Sequence, residues 1–131
     1  MITEALFCLA LNVYHEARSQ PLIEQLAVAQ VVLNRVESST YPDNVCGVVY
    51  HNKYPGRLHK CQFSWACDGA NDTPKNATAW LRANQIASLA LSPELPDLVG
   101  GATHYHATYV HPGWANSLEP VATIGRHRFY R

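Results

Sequence analysis

Residues 11–36 read LNVYHEARSQPLIEQLAVAQVVLNRV, and their reading decides the fold. They make two helical runs joined by Ser19-Gln20-Pro21. In the first run Leu6, Leu9, Ala10, Val13 and Ala17 recur at helical spacing and form one apolar stripe. Glu16 falls close to Leu9 on that wheel, at the border of the stripe rather than opposite it. A carboxylate at such a border is partly desolvated, which favours its protonated form and suits a general acid. Taken alone, the same position also fits a solvated helix glutamate.

The second run weighs toward the acid. Pro21 suits the first turn of a new helix, and Leu22, Leu26, Ala29, Leu33 and Val36 then make an apolar row. Ala27, Val28, Val31 and Val32 carry apolar character to other faces, so the helix is expected to be buried on more than one side. A buried helix directly after Glu16 puts that acid where helices converge.

Read with VCGVVYHN, CQFSWACDG, ATHYHATYV and IGRHRFYR further along, YHEARSQPLIEQLAVAQVVLNRV resembles the SleB/CwlJ-type cell wall hydrolase family. This group contains spore-cortex-lytic enzymes and their bacterial and phage relatives. The resemblance runs from about Leu9 to Arg131 through several separated motifs in order. It implies a lysozyme-like α+β fold, mostly helical with a small β-sheet. It also implies cleavage of peptidoglycan glycan strands by lytic transglycosylation, with the Glu of the Y-x-E-A-R motif, here Glu16, as acid.

Composition agrees with one small catalytic domain over residues 1–131. The chain is 47% hydrophobic and 15% charged, which excludes a disordered tail protein, and its formal net charge is zero. No overall field therefore drives it to nucleic acid or to an anionic membrane. Apolar runs long enough to span a bilayer are absent, and a monomer is expected. The start, MITEALFCLALNV, carries Glu4 and lacks a basic segment, so it does not read as a secretory signal. The expected location is synthesis in the cytoplasm and action on the wall. That requires release by another route, as for a phage endolysin, or a domain excised from an exported protein.

Along the chain, Thr3 reads as an N-cap. The second helix is expected to end near Glu37, before the breaker cluster Ser38-Ser39-Thr40-Tyr41-Pro42. A helix should start at Pro42-Asp43 and pack Val45, Val48 and Val49 inward. The stretch HNKYPGRLHK over 51–60 reads either as a solvated loop or as a cationic border of a substrate groove. Gln62, Phe63, Ser64 and Trp65 are expected to form a short strand. They could simply pack the core around a turn, but the family resemblance favours a cleft wall that binds substrate, with aromatics on sugar faces and neutral hydrogen bonds beside them. Asp68-Gly69 marks a turn. Thr73 and Pro74 should open a helix to about Leu91, with Ala77, Trp80, Ala83, Asn84, Ala87 and Leu91 inward and Leu81 beside them.

Residues 102–110, ATHYHATYV, alternate as a strand that puts His104 and His106 on one face, with Tyr105 between them. Two such histidines could hold a metal, yet neither HExxH nor Cys-x2-Cys supplies further ligands, so no metal and no cofactor is expected. Neutral imidazoles pointing toward Glu16 and positioning substrate fit better. A helical turn is expected at 112–118, and one final strand at 121–130. Cys8 lies in an apolar helix and reads as a buried thiol. One disulfide among Cys46, Cys61 and Cys67 is allowed in an oxidising space.

Two-carboxylate glycoside cleavage needs a second acid near the first. Only Asp68 lies beside a suspected cleft segment, and its Asp-Gly context favours a turn. Transglycosylation avoids the requirement, because the substrate's own C6 hydroxyl replaces water. A hydrolytic muramidase, using Asp68 or a water held by a histidine, and a non-catalytic peptidoglycan-binding module are the rival readings.

Overall fold

A computed structural model describes residues 3–131, and Met1 and Ile2 of the apolar N-terminal stretch lie outside the described residues. Helix α1 (Glu4–Ala17) starts where the Thr3 hydroxyl accepts from the Leu6 amide at 3.1 Å. Helix α2 (Leu22–Val36) follows a three-residue break after Arg18. A short helix α3 (Val45–Val49) is capped by Asn44, whose side chain accepts from Gly47 N at 2.7 Å. Helix α4 (Ala77–Ala90) and strands β1 (His104–Ala107), β2 (Pro120–Ile124) and β3 (His127–Tyr130) complete the chain. The sheet is antiparallel throughout, in the order β1-β3-β2.

Helix α2 runs between two apolar clusters. Leu26, Ala29 and Val32 pack with α1, α3 and α4, while Ala27 and Val31 pack with Val99, Ala102 and Phe129 under the sheet. Every residue from Glu24 to Val32 is buried, the many-sided burial expected of this apolar helix. Its polar side chains consequently turn to backbone. Gln30 donates to Pro96 O and accepts from Leu98 N, both at 2.8 Å. Asn34 donates to Ala102 O at 2.9 Å. These bonds satisfy the irregular segment before β1, where no ladder is available.

Several local expectations are corrected. Residues 121–130 do not form one strand: Gly125 takes φ +57 and turns the chain into the β2–β3 hairpin. Ser64–Cys67 is a 3-10 helix rather than a strand, with Ala66 N donating back to Phe63 O at 3.1 Å. Helix α4 begins at Ala77 behind Asn76, not at Thr73. The Tyr14 hydroxyl accepts from Lys75 N and Asn76 N, both at 3.0 Å, and so holds that segment off the helical path. Its buried residues are Ala83, Ile86, Ala87 and Ala90, and Leu81 and Leu91 are exposed. In α2 Leu22 is exposed too, lying beyond the end of α1. Cys8 is not a free thiol but is bonded to Cys46, and Cys61 is bonded to Cys67. The first link ties α1 to α3 across a sequence separation of 38, a closure that contributes about 4 kcal/mol on chain-entropy grounds.

The β2–β3 turn lies against α2. Glu24, in the first turn of α2, is buried and its Oε2 accepts from His127 Nδ1 at 2.8 Å. A side chain on Gly125 would fall on that carboxylate. We expect Gly125→Ala to lower stability by about 2–3 kcal/mol and Tm by roughly 7–11 °C, through the clash, the lost Glu24–His127 hydrogen bond and the left-handed backbone together. Calorimetry of the variant checks this, and an unchanged Tm would mean that the turn does not rest on Glu24.

Candidate active site

Five elements meet around a hollow of about 240 Å³ lined by Glu16, Arg35, Gln62, Phe63, His104, Tyr105 and Trp114. Glu16 comes from the last turn of α1 and is half-buried, at the border of the stripe as its spacing predicts. Tyr105 comes from β1 and donates its hydroxyl to Glu16 Oε1 at 2.6 Å. Among the described residues Glu16 Oε2 makes no hydrogen bond. Burial pushes the Tyr105 phenol well above the ordinary tyrosine range, and the neighbouring Glu16 charge pushes it further. Tyr105 therefore stays a donor at any working pH.

Arg35, in the last turn of α2, is only 3% exposed. Its Nε donates to Thr103 O at 2.7 Å, and its guanidinium lies 5.1 Å from the ring centres of both Tyr41 and Phe63. Burial pulls its pKa below the usual arginine value, opposed by Tyr41, Tyr105 and Glu16.

The segment holding Gln62 and Phe63 is fastened by the Cys61–Cys67 disulfide and by the Gln62 N to His51 O bond at 2.9 Å. Gln62 and Phe63 border the hollow. Ser64 is exposed and does not line it. Trp65 lies beneath, buried, donating from Nε1 to Asn12 Oδ1 at 3.1 Å and stacked on His15 with ring centres 4.5 Å apart. This tryptophan supports the wall from the core and presents no open face to a sugar.

Strand β1 is extended, as its alternation predicts, but the residue that reaches Glu16 is Tyr105. The pairing Tyr105↔Phe129 places Tyr105 on the inner face, so His104 and His106 share the outer one. His104 still borders the hollow, with its ring 5.1 Å from Trp114 and Nε2 within 3.4 Å of the Tyr41 hydroxyl. His106 does not. It stacks on Tyr130, bonds the Tyr130 hydroxyl at 2.7 Å, and faces a separate hollow with Thr108, His111 and Arg128. The expectation that both histidines point toward Glu16 thus fails for His106, because that face turns away from α1 at the next pleat.

None of the lining residues comes from 51–60, although Lys53 is close enough to act on His104. Asp68 is exposed and accepts from its own loop at Ala70 N, 2.9 Å away. Glu16 is therefore the one carboxylate among the lining residues. Among the described residues no three His, Cys, Asp or Glu side chains converge as metal ligands would, and no helix is long and apolar enough to cross a membrane.

The sequence reading missed Arg35, Tyr41 and Trp114 as members of the site. Arg35 carried a signal: it is the lone cation of a helix whose apolar residues cover several faces. Trp114 sits in the 3-10 turn Gly113–Ser117 and is 37% exposed. An open indole beside a polar hollow is a platform for the apolar face of a sugar ring.

Residues 19–130 match the Cell Wall Hydrolase family, a stretch that begins just after Glu16. A spore cortex-lytic enzyme of Halalkalibacterium halodurans is 35% identical over 122 residues, covering 92% of this chain and 33% of that protein. One from Oceanobacillus iheyensis is 32% identical over 120 residues, covering 89% of this chain and 38% of that protein. The chain thus spans about a third of the length of the curated relatives it matches. Among solved structures, the catalytic domain of the germination-specific lytic transglycosylase SleB from Bacillus anthracis superimposes with TM-score 0.74. It shares 26% identity, with 98% of this chain and 96% of that one covered. The SleB catalytic domain of Bacillus cereus gives TM-score 0.68 at 28% identity, with 100% and 93% covered. The lysozyme-like, mostly helical α+β fold expected from the sequence is the fold observed.

The surroundings of His104 set its charge. Burial lowers its pKa from 6.5, and Arg35 and Lys53 lower it further. At pH 6.5, where an ordinary histidine is half protonated, His104 should be mostly neutral. A nitrogen-15 NMR titration should place its midpoint below 6.5, and a midpoint at or above that value would contradict the surroundings described.

Proposed function

This chain belongs to the cell wall hydrolase family, and we propose that it cleaves the β-1,4 bond between N-acetylmuramic acid and N-acetylglucosamine in peptidoglycan by lytic transglycosylation. The observation that carries this reading is the Tyr105 hydroxyl on Glu16 Oε1 at 2.6 Å in a hollow with a single lining carboxylate. Because Tyr105 occupies Oε1 as a donor, a proton on Glu16 resides on Oε2, the oxygen left without a protein partner.

In the first step Glu16 gives that proton to the glycosidic oxygen as the bond to the anomeric carbon breaks. Glu16 is then a carboxylate, held by the hydrogen bond from Tyr105. In the second step it takes the proton of the muramic C6 hydroxyl as that oxygen bonds to the anomeric carbon. The 1,6-anhydro ring closes and the acid is regenerated, as microscopic reversibility requires. The substrate's acetamido group shares the positive charge between the two steps. No water is activated, so no second acid is needed, in contrast to two-carboxylate hydrolysis. Trp114 supplies a stacking face, and neutral His104 and Gln62 supply hydrogen bonds for sugar hydroxyls.

The catalytic domain from Bacillus anthracis, described as a germination-specific lytic transglycosylase, supports the reaction class by its likeness. Two disulfides suit an oxidising space, so we place the action of this domain at the cell wall rather than in reducing cytoplasm. The partner is the glycan strand, and the domain acts as a monomer without cofactor.

Glu16→Gln should fold normally and clear wall suspensions at least about a hundredfold more slowly, because the amide keeps the shape and has no acid proton. Mass spectrometry of the digest should show muramic ends one water lighter than reducing ends. Predominantly reducing ends would replace this reading with a muramidase, and a fully active glutamine variant would remove Glu16 from the reaction.

Tyr105→Phe tests the role of the hydroxyl separately. We expect kcat to fall about tenfold with little change in KM, a loss on the scale of one hydrogen bond to a charged group. Turnover equal to that of the parent protein would show that the bond only orders the resting side chain.

A further inference from the structure

We propose that Arg35 is a substrate-binding residue whose guanidinium takes an acyl oxygen from the glycan in the Glu16 hollow. The proposal rests on the glycan-cleaving reading of that hollow and adds a ligand group and a residue to it. Arg35 is 3% exposed and lines the cavity, and its Nη1 is a buried donor without a hydrogen-bond partner. Nε is already committed to Thr103 O at 2.7 Å. Two rings, Tyr41 and Phe63, hold the group at 5.1 Å each, a stacking that fixes the plane of the guanidinium without using its N–H bonds. No carboxylate lies within ion-pair distance of it among the described residues. A desolvated cation with a donor left over is costly unless an acceptor completes it.

The charge also says where on the substrate that acceptor lies. Cleavage builds positive charge at the anomeric carbon, so a buried cation in the same hollow must face a negative or carbonyl oxygen set away from that carbon. Peptidoglycan strands carry two such groups, the acetamido carbonyl of a sugar other than the one whose bond breaks and the acyl group of the muramic lactyl arm. Both are planar acyl oxygens that a guanidinium N–H can meet in plane.

The two sources are separated by binding measurements in the Glu16→Gln protein, in which turnover is expected to be slow enough for ligand to persist. The probes are a peptidoglycan tetrasaccharide, a chitin tetrasaccharide with acetamido groups but no lactyl arm, and the fully N-deacetylated chitin tetrasaccharide. With Arg35 present, the peptidoglycan oligomer should bind measurably; its failure to bind would overturn the glycan reading of the hollow itself. Adding Arg35→Met should weaken the peptidoglycan oligomer about tenfold or more. If the acetamido group is the partner, chitin tetrasaccharide suffers the same loss and the deacetylated one none. If the lactyl arm is the partner, neither chitin ligand is affected. Equal affinity for the peptidoglycan oligomer with and without Arg35 would overturn the proposal while leaving the glycan reading standing, and so would an equal loss for all three oligomers, the mark of a merely structural arginine. Should Arg35→Met fail to fold, Arg35→Lys keeps a cation between the rings. A single ammonium cannot serve both Thr103 O and the ligand at guanidinium geometry, so the same ligand-dependent pattern is expected, and its absence would equally overturn the assignment.

Discussion

Helix α2 is packed on two opposite sides, and the rest of the structure depends on that constraint. A helix between two apolar clusters has no solvent face for its charged residues. Glu24 and Arg35 are nevertheless both buried, at 2% and 3% exposure. They lie at opposite ends of the helix, about 16 Å apart at 1.5 Å per residue, the acid near the positive end of the dipole and the base near the negative one. Each then finds its partner in the sheet layer. Glu24 meets His127 on β3, and Arg35 meets the Thr103 carbonyl just before β1. The sheet is thereby fastened to α2 at two points.

That fastening places the hydrogen bond between Tyr105 and Glu16. Tyr105 stands on β1 two residues past the stretch that Asn34 and Arg35 hold, and it pairs across to Phe129. His127 packs edge-on to the Tyr105 ring at 5.7 Å from behind. Glu16 is delivered independently, at the end of α1, whose position against α3 is locked by the Cys8–Cys46 link. The 2.6 Å contact between them joins the helical layer to the sheet layer. A phenol that stays protonated is suited to this duty, since a donor that titrated would lose its bond when the carboxylate most needs it.

The sequence made the helical half legible and the loop half only partly so. The apolar spacing of α1 located Glu16 at the stripe border, and the all-round apolar character of α2 announced burial on several sides. Both are periodic signals that local spacing carries. The N-terminal limit of α4 was not legible, because the two amides that end the connector are taken by a tyrosine some 61 residues earlier. Nor was the direction of β1. Alternation separates two faces but does not say which one meets the acid, and the pair of histidines drew attention away from the tyrosine between them. The hairpin at Gly125 was hidden for a related reason: the turn is selected by the buried Glu24 carboxylate beneath it, a contact far away in sequence.

The two buried charges of α2 answer different demands. Replacing a buried ion pair by well-packed apolar groups is often neutral or stabilising, so stability alone gives little reason for either. Glu24 is completed inside the protein by His127, and its consequence is geometric: it fixes the turn that carries β3. Arg35 is completed only in part, with Nε on a carbonyl, two aromatic faces around it and a buried Nη1 without a partner. A cation held rigidly, desolvated and short of one acceptor is prepared for a ligand. It is held in place by the same helix end that secures β1, so ligand recognition and placement of Tyr105 share one anchor. Any change that loosened the last turn of α2 would therefore disturb the binding group and the proton-holding pair together.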